Sequence, residues 1–239
     1  VLGVFGRLLL FFSRIGPWAL DRPLMGLCCL CVLLSSHAVW AASGADAHAR
    51  SPWTLAQWLQ QMQTASQRHS YVGELQVEIE GRRTRSLIQH VNQAQGSYED
   101  RVEALGGRPR ISYRQPGEVW TVWPQLHQAL HEKRDAIPSF PLLLPKIAQG
   151  SGSVYVAQLG QRERVAGHWA QSIEFIPADH WRYVYTVWAE EGSALPLKMQ
   201  TRDSLGHVLE EARFLTLQLD PSAASLRPRE ALDGYQVRA

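Results

Sequence analysis

The sequence predicts an α+β chain, mainly antiparallel β, with one amphipathic helix ahead of the strands. Three observations lead there. Apolar residues recur at helical spacing once, early in the chain, at Leu55, Trp58, Leu59, Met62 and Ala65. From Tyr71 onward the period changes to two, and short alternating runs follow between glycine-marked breaks. Residues 137–149 (IPSFPLLLPKIAQ) then interrupt the strands with three prolines and a dense apolar group.

Each element has its own justification. Ser51-Pro52 reads as a helix start, with Ser as N-cap and Pro at the first helical position. In YVGELQVEIE, Tyr71, Gly73, Leu75, Val77 and Ile79 alternate with mostly acidic neighbours, the pattern of a half-buried antiparallel strand. Runs at 84–91, 97–105, 110–114 and 118–123 continue as a meander. Proline disfavours a central strand, so 137–149 reads as a short helix or covering loop. Strands resume at 153–159, 163–176, 180–190, 195–202 and 207–219. In HWRYVYTVWAE both alternating sets hold large apolar groups, so both faces are expected to be covered. From Asp220 the pattern is lost, and 220–239 reads as linker or tail. About ten strands in one sheet must curl, or have a face covered by helices.

Composition bounds function. The 239 residues are 45% hydrophobic and 19% charged, which fits a globular chain and not a disordered one. Residues 1–41 read as a secretory signal: Arg7, Arg14 and Arg22, then the apolar run Leu24–Leu34, then Val39-Trp40-Ala41 before the cut. Residues 42–50 follow as a flexible leader. All three cysteines (Cys28, Cys29, Cys31) fall within the signal, so the remainder has neither disulfide nor cysteine-based zinc site. Removing the signal takes the formal charge from +2 to zero, and the electrostatic contribution that nucleic acid requires is missing.

Catalytic constellations are weak. His127 and His131 have zinc-ligand spacing, but Gln128 stands where the hydrolytic motif has Glu; two histidines in a connecting segment is the plainer reading. Asp179-His180 finds no Ser in a nucleophile elbow and reads as a turn. Gly106-Gly107 and Gly150/Gly152 lack the context of a phosphate loop. Arg82, Arg83 and Arg85 form a basic hairpin tip, which could touch anionic headgroups or an acidic partner or simply be solvated. No catalytic residue, metal ligand or cofactor is assigned, and the chain is expected not to be an enzyme.

Four stretches in order carry a resemblance. RVEALGGRPRISYR presents Arg101, Gly107, Arg110 and Arg114. RVAG presents Arg164 and Gly167. PADHWRYVYTVW presents Arg182, Tyr183, Tyr185 and Trp188. LPLKMQTRDSLGHVLEEARF closes the series. Together they resemble the MucB/RseB family of periplasmic regulators, with His168 in place of the family's Arg and Ala189-Glu190 in place of an apolar-Asp pair.

The resemblance implies a half-open curved β-barrel like those of LolA and LolB, with the helix and the 137–149 segment on its concave face. It implies domain limits of 51–219, with the family's small C-terminal domain absent after the 220–239 tail. It also implies periplasmic location, binding to the periplasmic part of an RseA/MucA-type anti-sigma factor, and negative regulation of the envelope-stress sigma-factor pathway. Lipid or lipoprotein acyl chains would be sensed in a cavity lined by Trp120, Val122, Phe140, Leu142, Leu143 and Leu144. The alternative within the same fold is a lipid or lipoprotein carrier.

Overall fold

The computed structural model describes residues 53–93, 96–133 and 154–238. The expected signal, the leader and the 137–149 segment, with Phe140 and Leu142–Leu144, lie outside these residues.

The helix, α1, spans Leu55–Arg68. It starts at Thr54 and not at Ser51, because Thr54 and Gln57 form a reciprocal capping box. The Gln57 amide donates to Thr54 Oγ1 (3.4 Å), and the Thr54 amide donates to Gln57 Oε1 (2.8 Å). Its apolar stripe buries Trp58, Met62 and Ala65.

Twelve strands are present among the described residues: β1 (Tyr71–Ile79), β2 (Arg82–Asn92), β3 (Tyr98–Ala104), β4 (Ile111–Gln115), β5 (Glu118–Trp123), β6 (Gln128–Glu132), β7 (Tyr155–Val165), β8 (His168–Pro177), β9 (Val184–Glu190), β10 (Pro196–Arg202), β11 (Val208–Leu219) and β12 (Gln236–Arg238). They form one sheet in the order β12-β6-β5-β4-β3-β2-β1-β11-β10-β9-β8-β7. Two meanders, β1–β6 and β7–β11, join where β1 pairs with β11; every pairing is antiparallel except β12 with β6.

The sequence run 163–176 is not one strand. Ala166 and Gly167 take left-handed backbone (φ 50° and 84°) and make the β7–β8 hairpin turn inside it. The strand expected from His180 starts only at Val184, because Asp179 fixes a turn. Its Oδ1 accepts the Trp181 amide (3.0 Å), its carboxylate pairs with Arg182, and Trp181 is left 84% exposed. Beyond it, Tyr185 through Ala189 are all buried, as expected for a strand covered on both faces.

The sheet is curved and open. α1 binds β2 through its last turn yet also touches β7, which lies six strands further along the sheet order. A His168 imidazole nitrogen of β8 approaches the Leu217 carbonyl of β11 (3.4 Å) across the two intervening strands. The contact of α1 with both β2 and β7 requires the sheet to roll around α1, so the face toward α1 is concave.

Candidate functional site

Opposed residues of an antiparallel pair point to the same side, so the register maps the concave face strand by strand. Leu75 opposes Phe214, Val77 opposes Ala212, Ala212 opposes Met199, Met199 opposes Val187, and Val187 opposes Ile173. All are buried, and together they floor the concavity with aliphatic and aromatic groups. The polar groups within it are few. Glu210 and Thr201 lie side by side, buried. Tyr185 packs near Tyr155 with ring centroids 5.9 Å apart; burial first, then neighbouring Tyr155, push its hydroxyl up to about 12.

α1 is fastened over one end of this floor by a buried polar cluster. His90 of β2 sits between Tyr71 and Tyr98, with centroids 4.8 and 5.6 Å away. Its Nδ1 lies 2.6 Å from Asp100 Oδ1 of β3, and its Nε2 lies 2.7 Å from the Ser66 carbonyl of α1. Asn92 Nδ2 donates to the same carbonyl (3.1 Å). The sequence reading missed this cluster. Its signal was a histidine in phase with Ile88 on the buried side of a strand, where an apolar residue is the rule.

The opposite, convex face holds a second feature. Trp120 and Val122, expected to line the lipid cavity, point to this side. Strand alternation and register put them with Ile111, Tyr113, Ala129 and His131, away from α1. The expected tail covers them. Leu232 and Tyr235 pack on Ile111, Tyr113, Val122 and Ala129, with Trp120 beside them. The Arg229 guanidinium lies over Tyr113 and Trp120, and the Glu230 amide donates to the Tyr113 hydroxyl (3.0 Å). Gln89 exchanges two hydrogen bonds with the Arg227 backbone (2.7 and 3.0 Å), and Arg227 pairs with Glu103 (2.8 Å). The tail then adds β12 to the β6 edge. Residues 226–238 are therefore structured, because Leu232 and Tyr235 have an apolar face to bury.

The motif residues serve the framework. Arg101, buried on the convex side, donates to Glu103 (2.7 Å) beneath the tail. Gly107 occupies a left-handed turn (φ 72°). Arg114 stands across from Asp100 in the β3–β4 register; burial, then the positive charge of Arg114, lowers the pKa of Arg110. Arg164 donates to the Gly167 carbonyl (3.0 Å), bracing the β7–β8 turn, and stacks on Trp169. Arg182 pairs with Asp179, Tyr183 is half-buried, and Trp188 carries the Lys198 ammonium 4.1 Å from its ring centre. Glu190, where the family pattern has Asp, accepts from the Gly192 and Ser193 amides (2.9 and 2.6 Å) and closes the β9–β10 turn.

The weaker expectations also find their places. His131 stacks on Trp120 at 4.1 Å and His127 lies against Tyr235, so the two histidines serve the tail. Arg83 and Arg85 of the basic tip pair with Glu78 and Glu74 (2.7 and 3.0 Å). No group of metal-ligating side chains occurs among the described residues. A cleft of about 230 Å³ lies where Glu78, Glu80 and Glu211 meet Gln200 and Val208; its acidic lining is unsuited to acyl chains.

The sequence profile of the MucB/RseB N-terminal domain matches residues 54–232. The chain belongs to the MucB/RseB family. A curated relative, the sigma-E factor regulatory protein RseB of Haemophilus influenzae, is 27% identical over 132 residues, covering 55% of this chain and 41% of the relative. Among solved structures, MucB in complex with MucA(peri) superposes with a TM-score of 0.58 at 23% identity, covering 78% of this chain and 62% of that one. The Pseudomonas aeruginosa MucA/MucB complex gives the same TM-score at 22% identity, covering 77% and 62%. The open curved sheet is thus the MucB fold, and the chain spans less than two thirds of these relatives' length. The match ends at Leu232, so the family profile takes in the first part of the tail.

Proposed function

We propose that this chain is a non-enzymatic periplasmic regulator that binds the periplasmic segment of an RseA/MucA-type anti-sigma factor and takes acyl chains of lipid or lipoprotein into its concave face. Binding shields the anti-sigma factor and keeps an envelope-stress sigma factor silent; lipid occupancy favours release. Family membership, together with the MucA-bound state of a MucB relative, supports the partner. The observation that carries the ligand is the apolar concave floor under α1. An acyl chain gains about 0.8 kcal/mol per methylene buried on such a surface. Leu75, Ile173, Val187, Met199 and Phe214 are the proposed floor, and Phe140 with Leu142–Leu144, outside the described residues, stay proposed contacts of the acyl chain. Trp120 and Val122 are assigned to the tail's seat instead.

Lipid can release the partner only by binding the free form more tightly than the complex. Calorimetry of the exported chain against the periplasmic segment of its cognate anti-sigma factor tests the partner. Saturable binding, weakened by a diacyl phospholipid, is expected. No heat or complex at ~100 µM, where an interaction is worth only about 5.5 kcal/mol, contradicts it. The floor equally favours a carrier, which would retain acyl chains but not bind the anti-sigma segment.

A further inference from the structure

We infer that His90 is a proton-loaded latch: its imidazolium holds the last turn of α1 on the sheet, and loss of its proton lets that turn lift from the concave face. The protonation state follows from the neighbours. Nδ1 faces the Asp100 carboxylate at 2.6 Å, and Nε2 faces the Ser66 carbonyl at 2.7 Å with Asn92 Oδ1 at 3.3 Å. A backbone carbonyl only accepts, and a carboxylate ion only accepts. A neutral imidazole has one N–H to give, so satisfying both sides takes two protons on the ring and an ionised Asp100. A buried charge is tolerated when paired and hydrogen-bonded, and His90 is only 2% exposed.

The surroundings are set by four strands and the helix. β3 supplies Asp100 and Tyr98, β1 supplies Tyr71, and β4 supplies Arg114 directly across from Asp100. Phe214 of β11 lies edge-on behind Tyr71. α1 faces the ring with the Ser66 carbonyl, an acceptor in its final turn. Once the proton leaves, a ring lone pair must face either that carbonyl or the Asp100 carboxylate. Both contacts repel, and the helix side is the one free to move, since Asp100 is held in the sheet.

The pH direction is consistent. Burial lowers the pKa of His90, but the hydrogen bond and charge of Asp100, with Ser66 and Asn92, outweigh it and raise the net value. A raised folded pKa contributes stability that is fully present below the unfolded value of about 6.5 and is lost as pH rises through the folded value. The latch is therefore closed in mild acid and opens toward alkaline pH. This stands apart from the acyl-chain reading, because the readout is the helix itself.

Imidazole-resolved NMR on the exported chain, with amide exchange of residues 62–69 corrected for intrinsic rate, tests it. Two protonated ring nitrogens are expected at about pH 6. The exchange protection of the α1 C-terminus should fall at least tenfold as the ring titrates above that. Asp100→Asn should move both transitions together to lower pH, and His90→Gln should make protection independent of pH. A ring that is neutral at that pH overturns the inference, as does a ring that titrates with no change at α1. If His90→Gln fails to fold, the coupled shift in Asp100→Asn decides.

Discussion

At the scale of single residues, the close approaches are the most exacting features. Gly73 lies in β1 beneath the Phe214 ring. A Cβ built there would sit 2.5 Å from the Thr216 carbonyl oxygen and 2.8 Å from the ring. The carbonyl belongs to the paired strand and cannot retreat without breaking the ladder. Gly73→Ala should therefore destabilise by about 2–3 kcal/mol, as overpacking does, which denaturant titration would register as a lower midpoint with an unchanged slope. Tyr113 makes a milder case. Its hydroxyl accepts the Glu230 amide under the tail, so Tyr113→Phe leaves one partly buried donor unpaired. A cost of about 1 kcal/mol is expected, with increased exchange confined to residues 227–238 as its second signature.

At the scale of elements, α1 and the tail depend on different forces. α1 begins at a capping box, and Thr54→Ala should cost about 1 kcal/mol of stability with no effect on the His90 titration one helix length away. The tail is held by burial of Leu232 and Tyr235 and by the Gln89, Glu103 and Tyr113 anchors. Removing residues 226–239 should uncover Trp120 and Val122, detected as binding of an apolar dye that the intact chain rejects.

The elements were legible in the sequence to very different degrees. The β1 alternation at Tyr71, Leu75 and Val77 predicted the buried face directly, because each residue repeats the same choice. The β7–β8 turn was invisible to the strand periodicity, since the alternation continues on both sides of Ala166-Gly167 and only one of the two residues is glycine; only the RVAG stretch of the family pattern marks it as a turn. The tail was illegible because its two apolar anchors are three residues apart in an otherwise polar stretch; what orders them is a face built more than a hundred residues earlier. The same applies to Trp120 and Val122. Their period placed them together on one side of β5, but the side that is concave depends on where α1 docks.

At the scale of the molecule, the twelve-stranded sheet of the described residues, rolled around α1, leaves two covered faces with different occupants. The convex face is sealed by the chain's own residues 226–235. The concave face pairs an apolar floor with a helix held at its end by hydrogen bonds to a single carbonyl. The second arrangement suits a surface that must open for a ligand, and the first suits a permanent seam. Photolabelling the chain with a phospholipid that carries a diazirine in its acyl chain, and mapping the adducts by mass spectrometry, separates the two. Adducts on α1 and on the strands bearing Leu75, Ile173, Met199 and Phe214, competed away by unlabelled phospholipid, are the predicted result; adducts restricted to the convex face, or none that compete, would contradict the account.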